Sequence, residues 1–142
     1  MPSSTSKISF FFDQVRFALK DRKALKSFIE GIFKKEKTAL NSLNYIFCSD
    51  NRLLQINRQY LNHDYYTDII SFDLSEGEEI TGEIYISIDR VKENARILKT
   101  SFRLEILRVI FHGALHLCGY SDKSRKNQVT MRAKEDYYIN HF

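Results

Sequence analysis

The sequence predicts an α+β fold: a small sheet of about four strands with helices packed over it and one apolar helix at the centre. Three observations predict it. Four short runs rich in β-branched and aromatic residues, Ile8 to Phe12, Leu43 to Cys48, Asp68 to Leu74 and Ile84 to Ile88, have the length and composition of strands. Longer stretches between and after them place apolar residues at helical spacing. One of these, from Glu105 to Asp122, is apolar on nearly every side, as in a helix enclosed by a core.

Taken in order, the chain opens with M-P-S-S-T-S-K. A basic start with an apolar run behind it is missing there, so residues 1–6 are expected to be a frayed tail rather than a secretory signal. After the first strand, Asp21 is placed to cap a helix running to about Lys37, with Ala24, Leu25, Phe28, Ile29, Ile32 and Phe33 on its inner side. Its other face carries Lys23, Lys26, Lys34, Lys35 and Lys37, a solvated face or a contact for an RNA backbone. Asp50 opens the next helix, with Leu53, Leu54, Ile56, Tyr60 and Leu61 expected inside. S-E-G-E-E, centred on Gly77, reads as a turn, so the third and fourth strands are expected to form an antiparallel hairpin. Asp89 is expected to cap a further helix, and Lys99 to Ser101 separate it from the apolar helix. The basic stretch D-K-S-R-K-N leads into a last helix ending near Tyr138, with Val129, Met131 and Tyr138 as core candidates.

At 142 residues the chain is expected to form one domain, residues 1–142, long enough for a real core. No run approaches the ~20 apolar residues of a membrane span. The two cysteines, Cys48 and Cys118, do not make a C-x-x-C pair, and free thiols in a reducing cytoplasm are expected. The net charge of +4 is compatible with a polyanionic partner without demanding one.

The apolar helix is interrupted late by His112 and His116. Four residues amount to roughly 40° of rotation, so both imidazoles leave one face a turn apart. Gly119 suits the left-handed conformation that ends a helix. The chain then folds back, and Asp122 comes within reach of the imidazoles. Two histidines and a carboxylate make three protein ligands and leave a fourth position open, the layout of a catalytic zinc. Cys118, at i+2 from His116, points away and reads as core. On the histidine-bearing face, Arg108 precedes His112 by one turn and Glu105 by nearly two. They either pair with each other or leave the guanidinium to hold a phosphate.

H-G-A-L-H-L-C-G-Y-S-D, residues 112–122, resembles the signature H-G-x-L-H-L-x-G-Y-D-H of the YbeY family of bacterial single-strand-specific metallo-endoribonucleases. Y-L-N-H-D-Y-Y-T-D-I-I-S-F, from Tyr60 to Phe72, resembles that family's segment ending T-D-V-L-S-F, and G-E-I-Y-I-S, from Gly82 to Ser87, resembles its following strand. The resemblance covers roughly residues 45 to 138. It implies one zinc ion held by His112, His116 and Asp122, with aspartate standing where the family usually has histidine. The family's arginine before T-D-x-x-S-F falls on Leu61. Arg58, one turn earlier, is the candidate to replace it, the alternative being a solvated helix arginine. The implied activity is hydrolysis of single-stranded RNA by a zinc-activated water. The implied setting is 16S ribosomal RNA 3′-end maturation and ribosome quality control in the cytoplasm, with small-subunit ribosomal proteins as partners and no membrane.

Two other readings share the ligands. A zinc peptidase would place a glutamate directly after the first histidine as general base, and this chain has Gly113 there. A non-catalytic ribosome-assembly factor would use the metal as a staple and supply a fourth protein ligand such as Cys118. His63 reads as a surface loop residue or an orienting group. Thr67 and Ser71 are expected to buttress the site, and Tyr65, Tyr66 and Tyr120 are candidates to stack bases.

Overall fold

A computed structural model describes residues 6–61 and 67–142. The architecture is α+β. In chain order the elements are β1 (Ile8–Phe12), α1 (Arg22–Lys35), β2 (Leu40–Cys48), α2 (Asp50–Leu61), β3 (Ile69–Asp73), β4 (Ile80–Ser87), α3 (Ile88–Ile97), α4 (Phe102–Leu117) and α5 (Arg125–His141). The four strands form one sheet in the order β1-β2-β4-β3. β1 and β2 are parallel, as are β2 and β4, and β3 closes the expected antiparallel hairpin with β4.

Alternation along the strands sorts side chains to two faces. Leu43, Tyr45 and Phe47 of β2 and Ile84 and Ile86 of β4 join one large core with residues of α1, α3, α4 and α5. Cys48, Ile70, Phe72 and Tyr85 point the other way and meet Leu53 and Ile56 of α2. The large face is where α4 lies. Ten of its sixteen residues are buried, and it packs against β3, β4, α1, α3 and α5. The buried Tyr45 hydroxyl donates to the Ile110 carbonyl at 2.9 Å, tying α4 to the middle of the sheet.

Two glycines set how close α4 comes. A Cβ on Gly113 would lie 2.7 Å from Ile84 Cδ1 and 3.1 Å from Ile84 Cγ2, and one on Gly82 would lie 2.7 Å from Leu117 Cδ1. Contacts that short are repulsive, so helix and sheet meet at glycine from both sides.

Several expectations are corrected. Asp21 sits at the start of α1 with φ 57° and makes no side-chain cap; its carboxylate faces Arg103 at 3.5 Å. α1 ends at Lys35, because Lys37 turns left-handed at φ 57°. Asp50 does open α2 as expected, with the Ser49 hydroxyl before it accepting from the Arg52 amide at 3.1 Å. Ser87, not Asp89, caps α3 by accepting from the Arg90 amide, so the fourth strand stops one residue earlier than expected. Asp89 instead accepts the Asp50 amide, and Asp50 pairs with Arg90 at 2.8 Å, so both carboxylates join α2 to α3. Tyr60, Leu61 and Val129 are exposed, whereas Met131 and Tyr138 are buried as expected. Ser6, expected within a frayed tail, instead donates its hydroxyl to Glu30 at 2.8 Å, and residues 1–5 of that expected tail lie outside the described residues. Among the described residues no helix is long and apolar enough to cross a membrane.

Candidate metal centre

α4, α5 and the approach to β3 enclose a cleft of about 620 Å³. Asp68, Asn94, Glu105, Arg108, His112, Asp122 and Glu135 line it. His112 reaches it from the last turns of α4. Its Nδ1 lies 2.7 Å from Oε2 of Glu135, a buried carboxylate on α5. A carboxylate accepts only, so Nδ1 carries a proton, and in the neutral ring Nε2 is the nitrogen left to bind an ion. That nitrogen lies 3.3 Å from Oδ2 of Asp122.

The loop carrying Asp122 is shaped by its sequence. Cys118 ends α4, and Gly119 reverses the chain at φ 105°, a conformation that costs glycine little. The Gly119 amide donates to the His116 carbonyl, and the Tyr120 amide to the Leu115 carbonyl. Gln128 Nε2 then donates to the Asp122 carbonyl at 3.0 Å. His116 lies one turn beyond His112 and is exposed, outside the lining of the cleft. Among the described residues no three His, Cys, Asp or Glu side chains converge at metal-binding distances.

His112 and Asp122 nevertheless suit an ion. Ligands about 2.0–2.1 Å from a tetrahedral centre stand about 3.3–3.4 Å apart, which is the separation of Nε2 and Oδ2 here. A carboxylate on the far nitrogen of the imidazole is the usual support of a zinc-bound histidine. Burial opposes the charged form of His112. The hydrogen bond to Glu135 and the fields of Glu135, Asp122 and Asp68 outweigh it, so the net shift is upward from 6.5. The field that favours a proton there would equally favour a cation.

Arg108 does not pair with Glu105. Its Nη1 lies 3.1 Å from Glu135 Oε1 and 2.9 Å from Asp136 Oδ1, both on α5. It therefore holds the carboxylate that holds His112. Glu105 is buried, and its Oε1 has no hydrogen-bond partner among the described residues. Burial pushes its carboxyl up, opposed by Arg108 and reinforced by Asp68 and Glu135. Burial also pushes Asp68 up, opposed first by His112. Arg58 is exposed near the end of α2 and does not line the cleft. Thr67 lines it, and its hydroxyl donates to the Ile69 carbonyl. Ser71 lies within β3, opposite Ile84. His63, Tyr65 and Tyr66 lie outside the described residues. Tyr120 is half-buried, and its hydroxyl donates to Glu36 at 2.7 Å.

The sequence profile of the endoribonuclease YbeY family matches residues 9–142. The chain belongs to that family. Endoribonuclease YbeY of Cytophaga hutchinsonii is 52% identical over 130 residues, covering 91% of each chain. The Flavobacterium psychrophilum protein of the same name is 49% identical over 129 residues, with the same coverage. The fold is similar to a solution structure from Thermotoga maritima, with TM-score 0.65 and 34% identity over 93% of this chain and 86% of that one. Within this YbeY-family fold, Gly113 has a structural reason. The contact with Ile84 leaves no room for the glutamate a peptidase would need at that position.

Proposed function

We propose that the protein is a zinc-dependent endoribonuclease that hydrolyses phosphodiesters of single-stranded RNA in the cleft between α4 and α5. The observation that carries this reading is the His112–Asp122 pair, 3.3 Å apart in an open cleft. It occurs in a chain whose relatives, matched over nine-tenths of their length, are named endoribonuclease. His112, His116 and Asp122 would hold the zinc. His116 is exposed, so no packing locks its ring away from that task. When bound, the ion would lower the pKa of water toward ~7 and polarise a phosphoryl oxygen.

The chain's own groups do the rest. Glu135 fixes the His112 tautomer and ring plane. Asp68, close enough to His112 to feel its charge, is the group we assign to take the proton from the attacking water; its raised pKa suits a base working nearer neutrality than an ordinary aspartate. Asn94 Nδ2 donates to Asp68 Oδ2 at 3.3 Å and orients it. Arg108 spends Nη1 on α5, leaving Nη2 and Nε for a phosphate oxygen, and Arg58 meets a strand that passes the end of α2. A role in 16S ribosomal RNA 3′-end maturation and ribosome quality control, with small-subunit ribosomal proteins in the cytoplasm, rests on the family resemblance alone.

The test is cleavage of a labelled single-stranded RNA by purified protein, with zinc, after chelation, and beside a folded Asp122→Ala variant. Cleavage that needs zinc and vanishes in the variant is expected. Intact RNA with zinc-loaded wild-type protein, or equal cleavage by the variant, overturns the reading.

A further inference from the structure

We propose that Glu36 is a positioning residue for the metal centre, acting through Tyr120 on the loop that carries Asp122. The inference rests on the zinc reading above. Glu36 caps the C-terminus of α1, and its side chain is only 10% exposed. Three donors from distant parts of the chain converge on it. The Tyr120 hydroxyl donates to Oε1 at 2.7 Å. Lys134 Nζ donates to Oε2 at 3.2 Å, and the Tyr138 hydroxyl donates to the same oxygen. Lys134 also lies over the Tyr120 ring, 5.6 Å from its centroid.

The placement of these donors gives the carboxylate its role. Tyr120 stands two residues before Asp122, and Lys134 one residue before Glu135. Glu36 thus clamps together the loop that presents Asp122 and the helix that aims His112. The Asp122 side chain is 48% exposed, so packing does not place it. Its position depends on the backbone, and the backbone is pinned by Gly119 at one end, by Gln128 at the other, and between them by Tyr120. Metal ligands tolerate only ~0.2 Å of displacement, and loss of a supporting hydrogen bond typically costs ~10–100-fold in affinity. The same carboxylate makes a different bond to Tyr138, which does not belong to the loop. That difference separates positioning from general stabilisation.

The experiment is competition for Zn²⁺ against a chromophoric chelator, with the absorption spectrum of the Co²⁺-substituted protein as a second readout. It uses full-length wild type, Tyr120→Phe, Glu36→Gln and Tyr138→Phe, each checked for folding. Tyr120→Phe and Glu36→Gln should weaken zinc binding by ~10–100-fold, alter the Co²⁺ band, and combine non-additively. Tyr138→Phe should lower thermal stability and keep zinc affinity within about twofold of wild type. Wild-type affinity in folded Tyr120→Phe, or an equal loss in Tyr138→Phe, overturns the positioning role alone. A wild-type protein that binds neither ion overturns the zinc reading and this inference together.

Discussion

Glu135 shows how much rests on one side chain. It is buried, accepts from His112 through one oxygen and faces Arg108 through the other. Glu135→Gln keeps the shape and removes the charge. The amide can still accept from Nδ1 but no longer offsets a cation. Zinc affinity of that variant is expected to fall by ~10–100-fold in chelator competition, with the fold retained. Nothing in the sequence marks Glu135 as different from its neighbours. In R-A-K-E-D it looks like part of a solvated charge run, and its partner lies 23 residues away. His112 and His116 could be picked out because their spacing repeats a helical turn, and Asp122 because it follows a reversing glycine by three residues. The pairing of a carboxylate with an imidazole across two helices has no local signal. The same limit explains the caps. Asp89 looks like a helix cap, but Ser87, two residues earlier, takes the Arg90 amide, and the Asp89 carboxylate accepts the Asp50 amide to link α2 to α3.

At the scale of elements, the strands were legible because each is a short run rich in β-branched and aromatic residues. The exposure of Tyr60 and Val129 was not, because helical periodicity gives a face without saying how wide a neighbour covers it. The contact of α4 with the sheet depends on Gly113. Gly113→Val would place branched carbon where Ile84 already stands, and overpacking of this kind costs typically ~1–3 kcal/mol. Urea unfolding should show a loss near the upper end of that range; wild-type stability would mean α4 lies further from β4 than the structure places it. The tie between α1 and α5 is electrostatic. Burial works against the ionised form of Glu36, but bonds from Tyr138, Tyr120 and Lys134 hold its carboxyl below the ordinary 4.5. A lowered folded value means stability that is present above 4.5 and is lost as pH falls through the lower value. The urea midpoint of wild type should therefore exceed that of Glu36→Gln near pH 7, and the gap should narrow near pH 3. A gap that is constant with pH would show that the charge of Glu36 contributes nothing.

At the scale of the molecule, zinc and the fold should be linked. An ion that binds only the folded state stabilises it by mass action, by about 2.7 kcal/mol at a hundred times Kd. For a chain of this length that is roughly 8 °C in Tm. Differential scanning calorimetry with zinc and after chelation should show the rise in wild type and not in His112→Ala; a Tm indifferent to zinc in wild type counts against a bound ion. The closure of the centre by α5 also governs when it exists during synthesis. At ~5–20 residues per second, a ribosome delivers α4 before the helix that supplies Glu135, Lys134 and Tyr138. Until α5 emerges and docks, His112 has no carboxylate to fix its proton and Glu36 has no donors from that helix. On the zinc reading, a nascent chain is expected to cleave RNA only once α5 has docked, so that synthesis finishes before the activity begins.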